Sequence, residues 1–374
     1  MADCKALQGL RMNSPSLISL ASGYVSFPTP TVVTEQLQAA LSRPTAFGSP
    51  VAGLPELRMA LASRYPNVAP EQVLVTPGAK AALFTLLRTV LQPGDEVLLP
   101  TPSWFGFDEL VRQAGGTLRL LPLSPDNNYA LEPAAVAQAL TPRTRVFLFS
   151  NPNNPTGRIY SAPELEAVLA VLATRPEVLV VSDEIYERIS FGAPVPSLLD
   201  FPDPDRRHVL VHGFSKSLGL VGWGVGYLIA PPALAAACTH WQHMTSGAVA
   251  VPSQLAALAA TEAADAIAAE LIAELAPRRC QLLTGLTALG LPCASTEGTY
   301  YAFPDLRAYL DPILPPAEAS ASLVKHLRAG GVEVVDGGTC HAPGYARLSC
   351  AVPEPELTTA LGRLSQVLAT LRPD

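Results

Sequence analysis

From Gln72 onward the chain alternates short, wholly apolar runs with longer segments whose apolar residues recur every three or four positions. Val73-Leu-Val-Thr, Glu96-Val-Leu-Leu, Arg145-Val-Phe-Leu-Phe, Val178-Leu-Val-Val and His208-Val-Leu-Val read as strands. Ala79–Leu91, Phe105–Ala114 and Pro163–Ala173 read as the helices between them. A strand without a polar face must be covered on both sides, which is the mark of a parallel sheet with crossover helices. The strand Val225–Ala230 closes this region, and Ala/Leu-rich helices follow from about Pro252 to Ala276. Beyond residue 276 the helices Ala317–Ala329 and Glu354–Leu371 alternate with strands Gly331–Val335 and Ala346–Cys350, as in a smaller α+β unit. The Ser/Pro-rich start carries one helical stretch, Val32–Leu41. The expectation is an α/β fold: a mostly parallel central sheet with helices on both faces, plus a smaller α+β domain. Residues 1–45 form an arm and the start of the small domain, 46–276 the large domain, and 277–374 the C-terminal small domain.

Three polar motifs follow apolar strands: Asn151-Pro-Asn-Asn-Pro-Thr-Gly, Ser182-Asp-Glu-Ile-Tyr and His212-Gly-Phe-Ser-Lys-Ser. Open α/β sheets gather their ligands outside the carboxyl ends of the strands, so the motifs share one edge. An amide, a carboxylate with a nearby phenol, and an amine meet there. They are the parts that hold pyridoxal phosphate and make it react. Its aldehyde is held as an imine, which requires a lysine amine. Lys216 is the candidate, one of only four lysines with Lys5, Lys80 and Lys325. The pyridine ring works as an electron sink when a carboxylate keeps its nitrogen protonated, a task for Asp183. Tyr186 and the amide of Asn154 are placed to hydrogen-bond the ring oxygen. Singly, each motif has a plain alternative: a surface lysine, a helix N-cap at Asp183, a Pro/Gly turn at Asn154. Those alternatives do not account for all three on one edge.

Composition narrows the class. A chain of 374 residues with 49% hydrophobic and 15% charged residues is long enough for two well-packed domains. The net charge of -7, the pI near 5.4 and the lack of any Lys/Arg run exclude a nucleic-acid binder. No apolar stretch approaches the ~20 residues of a membrane span, and Met1-Ala-Asp-Cys-Lys is unlike a signal peptide. Cys4, Cys238, Cys280, Cys293, Cys340 and Cys350 show no CxxC spacing, so neither a metal site nor a disulfide framework is expected. A cytoplasmic enzyme fits. Gly222, Gly224 and Gly226 mimic a dinucleotide-binding loop, but a helix-like Ser-Leu-Gly-Leu precedes them and a strand follows, the reverse of what that loop needs.

Asn154-Pro-Thr-Gly, Asp183-Glu-Ile-Tyr186, Ser215-Lys216 and Tyr345-Ala-Arg347-Leu-Ser, in this order, resemble the class I/II aminotransferases of the aspartate aminotransferase fold (fold type I). The likeness runs from about Gly23 to the C-terminal helix. It implies pyridoxal 5'-phosphate as cofactor, Lys216 as the imine-forming lysine and proton shuttle, Asp183 on the pyridine nitrogen, and Asn154 and Tyr186 on the ring oxygen. It implies that Trp104 stacks on the ring and that Arg347 grips the substrate α-carboxylate bidentately. Gly78-Ala79-Lys80 matches the loop whose N–H groups cradle the phosphate at a helix N-terminus, and Ser215 flanks the lysine. Gly23, Tyr24 and Val25 occupy a loop that lines the substrate pocket, and Ser246-Gly-Ala-Val another. Lys80 stands where some acidic-substrate relatives place a lysine against the distal carboxylate. A homodimer with shared active sites is implied as well. The partners are then an amino acid and a 2-oxo acid, with no nucleic acid and no membrane.

The chain departs from the family at the phosphate. The family's Gly-Trp-Arg-x-Gly-Tyr reads Gly222-Trp-Gly224-Val-Gly-Tyr227 here, without the arginine. A tyrosine normally lent to the partner subunit's phosphate falls on Gly48, next to Phe47. Losing one charge-assisted hydrogen bond of about 1.5–3 kcal/mol weakens the cofactor roughly ten- to a hundredfold. His212 and Lys80 are the substitute cations the sequence offers. The resemblance implies amino transfer; the altered phosphate site keeps open elimination, replacement or cyclisation on a functionalised amino acid. A non-catalytic effector-binding domain is the third class, against which Lys216, Asp183, Tyr186 and Arg347 all stand. Gly224→Arg is expected to tighten the cofactor in a binding titration; unchanged or weaker affinity removes the idea of a missing anchor.

Overall fold

The apolar runs join side by side because none can be exposed on either face. In the computed structural model, which describes residues 16–24, 27–42, 48–294 and 297–371, twelve strands and eleven helices are present among the described residues. The strands are β1 (Ile18–Ser19), β2 (Val73–Thr76), β3 (Glu96–Thr101), β4 (Thr117–Pro122), β5 (Thr144–Ser150), β6 (Leu179–Asp183), β7 (His208–Gly213), β8 (Gly226–Ile229), β9 (Tyr301–Ala302), β10 (Val332–Glu333), β11 (Val335–Asp336) and β12 (Ala346–Ser349). The helices are α1 (Thr31–Leu41), α2 (Pro55–Ala62), α3 (Ala79–Val90), α4 (Gly106–Ala114), α5 (Pro133–Ala139), α6 (Ala162–Leu172), α7 (Pro232–Thr245), α8 (Val251–Glu262), α9 (Ala264–Ala288), α10 (Pro316–Ala329) and α11 (Glu354–Leu371). Cys4, Lys5, Val25 and Phe47 lie outside the described residues.

Seven strands form the central sheet in the order β2-β8-β7-β6-β5-β3-β4. Only β8 runs against the others, pairing antiparallel with both β2 and β7. The carboxyl ends of the remaining six therefore share one edge. Alternate residues of a strand point to opposite faces, and β5 shows it: Val146 and Leu148 join the core under α3, α4 and α7, while Phe147 and Phe149 join the core under α5 and α6. On that second face, at the other end of the sheet, α1, α2 and α8 cover Val73, Val75, Leu210 and Tyr227. Fully burying one of these side chains is worth roughly 1.5–3 kcal/mol.

The strands stand where the apolar runs predict, with ends shifted by at most two residues. Four elements of the large sheet region escaped the pattern. Strand β4 is an edge strand with mostly exposed residues, so it carries no continuous apolar run. Helices α2, α5 and α7 bury few large side chains; α7 buries only Ala235, Cys238 and Gln242. The expected strand Gly331–Val335 is instead two short strands with different partners: β10 pairs with β1, and β11 with β12. The expected helix end at Ala276 is also absent. Helix α9 runs to Ala288 with Pro277 inside it. Its start, Ala264 and Ile267, packs on the large core, while Leu271, Leu275, Leu282 and Leu286 pack on the core formed with α10, α11 and β9–β12. The stretch Ser215–Ser217–Leu218 after β7 is a turn rather than a helix.

Two glycines let the start of α3 settle on the sheet. Gly213 and Gly226 are paired across β7 and β8. A Cβ on Gly226 would lie 2.5 Å from the Ala79 nitrogen and 2.9 Å from the His212 carbonyl oxygen, both backbone atoms. Gly226→Ala is therefore expected to destabilise the protein by about 1–3 kcal/mol in urea denaturation and to weaken cofactor binding at the displaced loop. A variant with unchanged stability would show that the α3 turn can move aside freely.

Candidate active site

Five of the six parallel strands, all but the edge strand β4, deliver groups to the common edge. A cavity of about 370 Å³ opens there between the sheet edge and the small domain. Gly23, Tyr24, Gly78, Ala79, Lys80, Trp104, Asn154, Asp183, Tyr186, Ser215, Lys216 and Arg347 all line it, so these twelve residues expected from the sequence are brought to one place.

Asp183 ends β6, buried, and its Oδ1 accepts a hydrogen bond from the Ile185 N–H at 3.3 Å. No helix follows it, so the N-cap alternative falls. Burial raises its carboxyl to about 7 even though the Ile185 N–H and Lys216 favour the charged form. Lys216, from the turn after β7, donates to the Gly23 carbonyl oxygen and lies 3.5 Å from the centre of the Tyr24 ring. Burial, with the Arg347 and Lys80 charges, lowers its amine to about 7; Asp183 opposes the shift and loses. A lysine near neutrality can both take and return a proton. Gly23 is constrained too: a Cβ there would meet the Tyr301 hydroxyl at 3.3 Å and Lys216 Nζ at 3.6 Å.

Arg347, on β12, is buried. Its Nη1 donates to Asn154 Oδ1 and its Nη2 to the Ala21 carbonyl oxygen, each at 2.9 Å. Its Nε is buried without a partner, and no carboxylate pairs with it among the described residues. A desolvated guanidinium with a donor to spare is prepared for a carboxylate. Trp104 packs edge-on against Phe107 at 5.2 Å, and Lys80 Nζ stands 5.5 Å from the Trp104 ring centre. Helix α3 begins at Gly78, φ +92°, without a side-chain cap, and space is open where a Cβ would be. The first N–H groups of a helix lack intrahelical acceptors, so this end suits an anion.

Tyr301, on β9, was not expected from the sequence. It lines the cavity, hydrogen-bonds the Tyr186 hydroxyl at 2.8 Å, and lies beneath the Arg347 guanidinium at 4.2 Å. Only the adjacent aromatic pair Tyr300-Tyr301 hinted at it. Conversely, His212 does not reach the cavity. It is buried against Glu187 at 3.1 Å and stacked on Tyr227, and its Nδ1 accepts the Gly213 N–H, so Nε2 carries the proton. Burial lowers the imidazole further, which removes it as a phosphate cation. Ser246–Val249 also lies outside the cavity lining.

These residues fit pyridoxal phosphate. An uncapped helix end, a buried carboxylate, a near-neutral lysine and a carboxylate-ready arginine surround one space beside a tryptophan. The family model for aminotransferase class I and II matches residues 15–364. The chain belongs to the class I and II aminotransferases. An aspartate/prephenate aminotransferase of Thermus thermophilus is 37% identical, with 98% of this chain and 94% of that protein aligned. A bifunctional aspartate aminotransferase and glutamate/aspartate-prephenate aminotransferase of Petunia hybrida is 32% identical over 96% of this chain and 78% of its own. Among solved structures, the Thermus thermophilus aspartate aminotransferase with maleate superimposes with a TM-score of 0.87 at 34% identity, covering 94% of this chain and 92% of that one. An aromatic aminotransferase from Pyrococcus horikoshii gives 0.87 at 29% identity, covering 95% and 96%. The enzyme is thus a pyridoxal-phosphate-dependent aminotransferase acting on an amino acid and a 2-oxo acid, and elimination or cyclisation is not favoured.

Without cofactor, the Asp183 carboxyl titrates near 7 in the folded chain against about 4 unfolded. The folded chain then holds the extra proton between those values, and stability falls as pH rises through that window. Asp183→Asn is expected to gain on the parent by roughly 2–3 kcal/mol between pH 5 and pH 8 in urea melts of cofactor-free protein; a pH-independent difference would mean Asp183 is already ionised. Gly224 has φ +60° and open space around its Cβ position. The left-handed backbone costs a non-glycine residue about 1–2 kcal/mol of stability with or without cofactor, so Gly224→Arg is expected to lower the stability of the cofactor-free protein in urea melts by about that amount while tightening the cofactor.

Proposed function

We propose that this aminotransferase moves the amino group between dicarboxylic partners, an acidic amino acid and a 2-oxo acid. The observation that carries this is the pair of cations in one cavity: Arg347, buried without a counter-ion, and Lys80, over Trp104 at the exposed side. Arg347 takes the α-carboxylate and Lys80 the distal one. The names of the Thermus and Petunia relatives, and the maleate in the Thermus structure, support a substrate of this class. Aromatic walls from Tyr24, Trp104 and Phe105 leave room for a bulky acid as well as a small one.

When bound, pyridoxal phosphate supplies the electron sink that makes the substrate α-hydrogen acidic. Lys216 would be the base that takes and returns that proton. Asp183 would keep the pyridine nitrogen protonated, Asn154 and Tyr186 would hydrogen-bond the ring oxygen, and Trp104 would stack on the ring. The N–H groups of Gly78, Ala79 and Lys80, with Ser215, would hold the phosphate. Gly23 and Tyr24, beside Lys216, would shield it from water.

The same reading includes a cytoplasmic homodimer whose active sites are shared. Phe84 and Arg88 follow Lys80 along α3, and Arg88 lies 5.3 Å over Trp241 of α7. Phe84, Phe105, Trp241 and Met244 are exposed, an apolar strip beside the cavity that a second copy would cover. Gly48 is exposed with nothing within 4 Å of its Cβ position, which leaves it free to face a neighbour's site. Free Cys238, Cys280, Cys293, Cys340 and Cys350 suit a reducing compartment. Along α9, Ala264 and Ile267 pack on the large core and Leu271 and Leu275 already on the small one, so the change of core precedes the proposed division at 276/277.

Aspartate or glutamate added to the purified holoenzyme without a 2-oxo acid is expected to convert bound pyridoxal phosphate to pyridoxamine phosphate, followed by absorbance. Lys80→Met should lower kcat/KM for aspartate roughly ten- to a hundredfold, the value of one charge-assisted hydrogen bond, and leave phenylalanine within about threefold. Equal losses for both donors would remove Lys80 from distal-carboxylate recognition. A monomeric species with full activity in sedimentation would remove the shared site.

A further inference from the structure

Tyr301 joins two groups that the reaction uses separately. Its hydroxyl is 2.8 Å from that of Tyr186, and its ring lies under Arg347. Tyr186 comes from the segment after β6, whereas Tyr301 and Arg347 come from the small-domain strands β9 and β12. The contact therefore bridges the two sides of the cavity. Proton counting gives it a direction. Each phenol has one proton. Tyr300 spends its own on the Gly23 carbonyl oxygen at 2.6 Å. If Tyr186 donates into the cavity, to the ring oxygen of the cofactor, it accepts from Tyr301, and Tyr301 has no second donor to offer elsewhere.

We propose that Tyr301 is a positioning residue of this aminotransferase: it donates to Tyr186, fixes that phenol towards the cofactor ring oxygen, and strengthens it as a donor. Successive hydrogen bonds polarise one another, so a phenol that accepts donates more strongly. The Arg347 charge over the ring draws electron density from Tyr301 and keeps it the donor of the pair. The backbone holds Tyr301 in place at a cost. Thr299, fully buried, has φ +61°, a conformation that a β-branched residue rarely adopts. Its Oγ1 accepts the Tyr301 N–H at 3.1 Å. Strain of this kind persists where the surroundings over-determine it, and here it aims the tyrosine pair.

The proposal rests on Tyr186 facing the cofactor ring oxygen, and its test separates the two. The pH midpoint of the visible absorbance of the holoenzyme reports the hydrogen bonding of that oxygen. Tyr186→Phe should raise the midpoint. Tyr301→Phe should raise it too, by about half a pH unit, part of one hydrogen bond's worth. The double variant should match Tyr186→Phe alone, because Tyr301 acts only through Tyr186. Phenylalanine keeps the ring under Arg347, so maleate affinity should stay within about twofold in Tyr301→Phe and fall in Tyr301→Leu. A midpoint unmoved in Tyr301→Phe, or shifts that add in the double variant, would overturn the proposal while leaving Tyr186 in place. An unmoved midpoint in Tyr186→Phe would overturn both.

Discussion

A guanidinium buried without a counter-ion is the interaction on which the site is built. Taking a charge out of water is expensive unless it is fully hydrogen-bonded or paired. Arg347 is held by neutral groups only: the Asn154 amide oxygen, the Ala21 carbonyl oxygen and the face of Tyr301. Those three come from the central sheet edge, the N-terminal segment and the small domain, so one charge gathers every part of the chain around the cavity. Its remaining Nε donor has no protein partner. On the proposed reading a substrate carboxylate would supply the missing charge, and the stabilisation withheld from folding would become available to binding.

The sheet makes that gathering possible. Six strands run in one direction, and their carboxyl ends present Gly78, Trp104, Asn154, Asp183 and the Lys216 turn along one edge. Burial at that edge moves Asp183 and Lys216 towards each other, both to about 7. Their ordinary values lie more than six units apart. The desolvated surroundings disfavour the charged form of each, and neither partner's attraction restores it. A carboxyl and an amine that both change charge near neutrality are matched to holding and moving a proton.

The phosphate end is governed by what is missing. Without an arginine at Gly224, the proposed phosphate site would rely on backbone N–H groups at the start of α3, the Ser215 hydroxyl and Lys80. His212, one of two cations the sequence offered in compensation, is committed elsewhere: a buried network with Glu187 and Arg64 on the other side of the sheet. Lys80 lines the cavity beside Trp104. The uncapped helix end and the glycine-permitted approach of α3 to the sheet explain how this chain retains an anion site built from backbone donors.

The doubly covered sheet was legible in the sequence. Continuous apolar runs demand cover on both faces, and polar groups just past the parallel ones appear at one edge; that β8 runs against its neighbours was not legible. Lys216, Asp183, Asn154 and Tyr186 were legible for that reason, and Arg347 and Trp104 through the family likeness. Local pattern could not show β4, whose edge position asks for no apolar run, or α7, whose alanines bury little. Nor could it show that the strand expected at Gly331–Val335 serves two partners, or that α9 continues past Pro277. Partner choice in a sheet and the course of a long helix are settled by what lies opposite. Tyr301 and His212 make the same point for the site. Chain distance places His212 near Lys216 and Tyr301 far from Tyr186; alternation across a strand turns the first away, and packing of the small domain brings the second within a hydrogen bond.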